Sequence, residues 1–95
     1  MEKWKTLWWN TLYEVSTMGR VRNRKTQKIL ATNPTKSHKK PQVWLYSTYF
    51  GETLQYTLDK LIYATFNNCN KVSNFRVYHR DGDIMNNKLE NLYVK

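Results

Sequence analysis

Cysteine is almost absent: Cys69 stands alone among the 95 residues, which excludes an internal disulfide framework and any zinc site built only of cysteines. A reducing, cytoplasmic setting is expected. Long apolar runs are absent too. No stretch approaches the roughly 20 apolar residues that a bilayer-spanning helix needs, and the opening MEKWKTLWWN holds no apolar run of signal-peptide length. No membrane partner is expected.

Carboxylates are scarce. Seven Asp+Glu face 16 Lys+Arg, a formal charge of +9, and such an excess predicts an acidic partner. The imbalance is also local: no acidic residue lies between Glu14 and Glu52, whereas Arg20, Arg22, Arg24, Lys25, Lys28, Lys36, Lys39 and Lys40 all do. A merely solubilising face would mix the two signs, so this stretch is read as a nucleic-acid contact. Arg20, Arg22 and Arg24 alternate, and on an extended segment they would form one row able to track phosphates or enter a groove. Lys36, Lys39 and Lys40 would add phosphate contacts from a loop.

What is abundant is core-forming material. The chain is 40% hydrophobic and 15% aromatic, with four Trp and seven Tyr, too much for a disordered segment. One compact unit is expected at this length. Trp4, Trp8, Trp9 and Trp44 could stack on bases, but tryptophans in so small a domain are expected in its core.

Patterning places the elements. Tyr13 and Val15 alternate with polar neighbours, and Val21 sits between Arg20 and Arg22, which predicts two strands joined at Ser16-Thr17-Met18-Gly19, with Gly19 in a conformation that a Cβ would resist. The following RNRKTQKILATNPTKSHKKPQ holds both prolines, Pro34 and Pro41, and only Ile29 and Leu30 as apolar anchors; it reads as a hairpin arm and a basic loop containing His38. A strand follows with Val43, Leu45 and Ser47 on one face and Trp44, Tyr46 and Thr48 on the other. It turns at Gly51 and returns through Leu54 to Tyr56.

The period then changes. Leu58, Leu61, Ile62, Thr65 and Phe66 predict a helix over 57–67, capped by Thr57, favoured by Asp59 in its first turn and ended by Asn67, Asn68 and Asn70. A strand from Phe75 to Arg80, a turn at Asp81-Gly82 and a terminal strand around Leu92 to Val94 complete the chain. The fold class is α+β: small antiparallel sheets or hairpins, one main helix and a carboxyl-terminal ββ unit. Residues 1–50 form a basic β region and 51–95 the remainder.

Two separated motifs resemble a known family. The segment VYHRDGDIMNNKLENLYV is similar to the core of HNH homing-type endonucleases of phages and introns, in which an Asp/Asn-His pair is followed by DG, NN and ENL. Trp4, the stretch LYEVSTMGRV at 12–21 and KIL at 28–30 resemble the nuclease-associated modular domain of the fourth type, which commonly precedes that core. DKLIYATF, at 59–66, lies where the family usually has a helix beginning with histidine.

The resemblance implies His79 as general base and Asn91 as a structural asparagine, with a divalent metal at the scissile phosphate. It also shows departures. The residue before the base, usually Asp or Asn and a metal ligand, is Tyr78, and the chain ends at Lys95, ahead of the helix expected to carry a second ligand. A neutral phenol is a poor ligand for a hard cation. Asp81 and Asp83 read as a turn, and Asn86, Asn87 and Asn91 as side chains satisfying backbone groups there.

The expectation is therefore a small nucleic-acid-binding protein of phage or mobile-element type, a degenerate HNH endonuclease relative that binds DNA rather than RNA. It would use the cations above together with Arg80, hold no metal or other cofactor, and serve as an accessory factor or as an inhibitor of a host nucleic-acid machine or defence nuclease. Two alternatives stand beside it. One is a working Mg²⁺-dependent nicking endonuclease with His79 as base; the other is an inhibitor that lays its basic face on an acidic protein.

Overall fold

The computed structural model describes residues 1–32, 40–68 and 76–94. Along the chain lie β1 (Trp4–Thr6), β2 (Tyr13–Ser16), β3 (Val21–Asn23), β4 (Gln42–Ser47), β5 (Glu52–Thr57), α1 (Leu58–Asn67), β6 (Tyr78–His79), a single 3-10 turn at Leu89–Asn91, and β7 (Leu92–Tyr93). The strands form three antiparallel sheets, β1-β2-β3, β4-β5 and β6-β7. The fold is α+β, as the patterning predicts. No helix among the described residues is long and apolar enough to cross a membrane.

The first sheet is built around its turn. Ser16 Oγ accepts from the backbone N–H groups of Met18 and Arg20, and Gly19 turns the chain with φ of 89°, a region in which a side chain is strained. The structure adds β1, a strand the patterning does not assign, with Lys5 opposite Val15 and Thr6 opposite Glu14. Beyond β3 the expected hairpin arm forms: Leu30 N–H donates to Val21 O and Asn23 N–H to Lys28 O. Leu30 packs on the core, but Ile29 is exposed.

In β4 the alternation is as expected, with Val43 and Leu45 buried and Trp44 and Tyr46 facing solvent. One edge of this strand pairs with β5, and on the other Tyr46 is met by side chains of β2 and of the loop before it: Tyr46 N–H donates to Tyr13 Oη, and Asn10 Nδ2 donates to Tyr46 O. This satisfies the outward-facing backbone groups of Tyr46 on that edge.

Helix α1 lays Leu58, Leu61, Ile62 and Thr65 into the core, and Phe66 packs beside it. Asn68 ends the helix in the left-handed region. Its start differs from expectation. Thr57 occupies the capping position but makes no capping bond, and its hydroxyl is buried without a partner among the described residues. Thr57 is also the last ladder residue of β5, opposite Gln42. The first-turn N–H groups are met instead by Pro41 O, which accepts from Leu58, and by Asp59 Oδ1, which accepts from Lys60.

The core draws on every sheet and the helix: Leu7, Val15, Val21, Val43, Leu45, Leu58, Leu61, Ile62, Val77 and Leu92. Of the tryptophans expected there, Trp9 packs against it, whereas Trp8 and Trp44 are exposed. Short strands leave room for only a few inward positions, and the aliphatic side chains fill them.

The amino-terminal sheet also docks on the carboxyl-terminal loop. Leu89 N–H donates to Thr17 O, and a Cβ at Gly19 would lie 3.0 Å from the carbonyl carbon and oxygen of Asn87. Gly51 and Gly82 have positive φ as well but open space around them. Gly19→Ala is therefore expected to lower stability by roughly 1–3 kcal/mol and by clearly more than Gly51→Ala, read as midpoints of urea unfolding.

Candidate functional site

His79 ends β6 opposite Leu92 of β7, and its side chain is only 4% exposed. Its Nε2 lies 2.9 Å from Asn87 Oδ1. The Asn87 amide donates its own nitrogen to Ile84 O, so its oxygen is the end facing the ring. Nε2 must then carry the proton and donate it, which leaves the lone pair of the neutral imidazole on Nδ1.

Asp59 Oδ2 stands 3.9 Å from the same Nε2 and 2.9 Å from Lys40 Nζ. Asp59 is 2% exposed, and a carboxylate so buried requires pairing. Lys40 supplies it. Three distant stretches thus meet: the residue leading into β4, the first turn of α1 and the end of β6. Lys40, Arg76, Val77, Tyr78, His79 and Ile84 line a cavity of about 440 Å³.

The adjoining loop is organised by Asp81. Its carboxylate accepts from Asp83 N–H at 2.8 Å, Asn91 Nδ2 at 2.9 Å and Asn86 Nδ2 at 2.8 Å. These bonds, led by that of Asn86, hold its pKa down from 3.8 to about 2. Asn91 also donates to Asn86 O and accepts from Asp81 N–H, tying both ends of the loop together. The turn reading of Asp81 and Asp83 therefore describes the structure. For Asn87 it is incomplete, since that side chain also positions the histidine. Tyr78 stacks on Tyr93 with centroids 5.6 Å apart.

The cations are less free than their spacing implies. Arg20 forks onto Glu2, with Nε 2.8 Å from Oε2 and its second nitrogen on Oε1. Arg22 Nε bonds Glu14 Oε1 at 2.8 Å, and its guanidinium lies 3.8 Å above the Trp4 ring. Arg24 Nε donates to Thr11 O. Arg20 and Arg22 gather over Trp4, on one side as the alternation implies, and carboxylates from outside the acid-free stretch reach them across the sheet, Glu14 being the register partner of Arg22. Lys40 is likewise committed to Asp59, and Arg80 to Glu90 O and the Tyr93 ring. Lys25 and Lys28 project from the exposed arm after β3, with no ion pair among the described residues. Lys36, His38 and Lys39 lie outside those residues.

Sequence reasoning missed Asp59, Asn87 and Arg76 as neighbours of His79. Asp59 carried one usable signal, a carboxylate at a position that packs inward beside Leu58, Leu61 and Ile62.

Lys40→Met should destabilise the fold by roughly 1–3 kcal/mol by leaving a buried charge without its partner. Adding Asp59→Asn should recover part of that loss, and chemical denaturation of the two variants tests this.

Acid unfolding offers a second check. Asp81 and Glu2 both titrate near 2, Glu2 because of its Arg20 bond. A carboxyl group whose folded pKa is depressed contributes stability above its unfolded value and loses it as pH falls through the folded one. Stability should thus decline between about pH 4 and pH 2, and Asp81→Asn and Glu2→Gln should each flatten that decline in pH-dependent denaturation.

Two comparisons place the chain among known proteins. Residues 2–65 match the NUMOD4 motif family. The fold matches a solved structure described as "DNA binding and cleavage by the HNH homing endonuclease I-HmuI", with a TM-score of 0.78 and 25% sequence identity, over 98% of this chain and 52% of that one. The chain thus spans about half the length of that endonuclease. A search of curated proteins finds no match. The family match covers most of the chain and the structural match nearly all of it: the chain belongs to the NUMOD4 motif family and is an HNH homing endonuclease-like protein.

Proposed function

We propose that this protein binds duplex DNA and holds it without hydrolysing it, a degenerate HNH endonuclease-like protein that acts as an accessory or inhibitory factor in the nucleic-acid transactions of a mobile element. One observation carries the reading. The buried carboxylate beside His79 is already neutralised by Lys40, at 2.9 Å, and the residue preceding the histidine is a tyrosine.

A hard divalent ion needs several oxygen ligands, carboxylates above all. Among the described residues no group of three or more His, Cys, Asp or Glu gathers to hold one. Asp81 lies nearby, but both its oxygens are committed to the loop. The donor set therefore does not fit a divalent metal, and no hydrolytic step is assigned. Without such charge stabilisation a histidine alone falls several kcal/mol short of what phosphodiester cleavage requires.

A second reading has one observation in its favour. Asn87 holds His79 in the tautomer that leaves Nδ1 able to accept a proton, as a general base requires. A nuclease would need that atom and a metal assembled from other residues.

Phosphate contact falls to the cations without internal partners. Affinity for duplex DNA should drop steeply with salt, with a log-log slope near −0.9 per neutralised phosphate. The double variant Lys25→Ala/Lys28→Ala should reduce that slope by about 2, more than Arg20→Ala/Arg22→Ala does. Gel shifts across a salt series test this, and a nicking assay on supercoiled plasmid with Mg²⁺ or Mn²⁺ runs beside them. Metal-dependent nicking that vanishes in His79→Ala, with binding retained, would establish the second reading and sink the first.

A further inference from the structure

The segment least like a phosphate-binding surface is the β4-β5 ribbon. From Gln42 to Thr57 it holds no lysine or arginine and a single carboxylate, Glu52. Its solvent side presents Trp44, Tyr46, Thr53 and Gln55. At its tip Tyr49 is 87% exposed and Phe50 63%. Isolated exposed apolar side chains need no explanation, but a cluster of them does.

Across from the tip lies the loop between β1 and β2. Trp8, Asn10, Leu12, Ser47, Thr48 and Tyr49 line a cleft of about 170 Å³ between that loop and the ribbon. Drug-sized ligands occupy sites of about 300–1,000 Å³, so the cleft has room for one flat ring system. Of the two exposed rings at its mouth, Trp8 is braced by an anchored neighbour. Tyr49 meets Phe50 edge-on at 4.9 Å, and Trp8 meets Trp9 edge-on at 5.0 Å. Trp9 is fixed in turn by a bond from Nε1 to Tyr56 Oη. A ring held as Trp8 is loses little freedom on stacking against another.

A cation stands at the rim. Arg24 donates its backbone N–H to Leu12 O and Nε to Thr11 O, and Thr11 lines the cleft. Its terminal nitrogens make no hydrogen bond or ion pair among the described residues. Two stacking faces, a polar cleft floor and a guanidinium at the edge suit one nucleotide, its base between the rings and its phosphate on the arginine.

We infer that the cleft between the β1-β2 loop and the β4-β5 tip binds a single unstacked nucleobase, with Trp8 and Tyr49 as its stacking surfaces and Arg24 on the adjoining phosphate. The inference rests on the DNA-binding reading above and adds a site that duplex phosphate contacts do not require. An unstacked base comes from a single strand or from an unpaired position in a duplex.

The test titrates the full chain with three DNAs: single-stranded oligothymidylate, a duplex with one bulged 2-aminopurine, and the same duplex fully paired. Tryptophan and 2-aminopurine fluorescence report stacking. Tyr49→Ser and Trp8→Ser are expected to weaken binding of whichever DNA presents the base by about 5- to 150-fold, to abolish the fluorescence change, and to alter affinity for the paired duplex by less than about twofold. Met18→Ser, exposed at the turn between β2 and β3, should match the wild type. Loss with the single strand and the bulge identifies a general base site; loss with the bulge alone identifies an extruded base.

If both variants bind all three DNAs like the wild type, the rings serve something other than a base and the inference falls. If the wild type binds only the paired duplex, it falls while the DNA-binding reading stands. Failure to bind any of the three removes both. Tyr49 contributes so little to the interior that an unchanged thermal melt separates lost binding from lost fold.

Discussion

A buried carboxylate at the start of a helix constrains this molecule more than any other single group. Asp59 is closed off from water, and each of its oxygens is engaged: Oδ1 with the next backbone N–H, Oδ2 with the Lys40 ammonium. The positive end of α1 favours charge there, but the helix alone cannot offset its desolvation. Lys40 must therefore lie over the helix start. This sets the entry to β4, and through Pro41 O it also satisfies the first helical N–H group. On the other side Asp59 faces His79, so the same carboxylate positions the ββ unit against the helix.

The consequence for chemistry is one of charge placement. A phosphodiester nuclease of metal-dependent type keeps carboxylates available for a cation delivered from solution. Here the cation beside the histidine is covalently part of the chain, on a lysine stem. The histidine retains a second contact, Asn87, that fixes its proton on Nε2. The site thus joins an ordered imidazole and an internal ion pair within an HNH homing endonuclease-like fold.

The surface divides between two regions of different character. The arginines over Trp4 are structural as much as electrostatic, since Glu2 and Glu14 pair with them and the ring lies beneath them. The lysines on the β3 arm remain available to an anion. The β4-β5 ribbon, poor in cations and rich in rings, offers stacking surfaces. On the proposed reading, phosphate affinity and base contact would come from different elements, as is common where backbone contacts position and base contacts specify.

Alternation and helical spacing determined β4, β5, α1 and the Gly19 turn from sequence alone, because those patterns reflect which side chains leave water, and one segment at a time suffices to read them. The motifs located His79 and the Asp81 loop for the same local reason: loop bonds span few residues, as between Asp81 and Asp83. Tertiary structure alone decided which charges are spent. Glu2 pairs with Arg20, Glu14 with Arg22 and Lys40 with Asp59 across 18, 8 and 19 positions, so an acid-free stretch in the sequence is not an unpaired one in space. It also decided that Trp8 faces outward, because competition for a small interior is settled only when all the elements pack together. Electrostatic pairing and burial act through distance in space, and a linear chain does not record that distance.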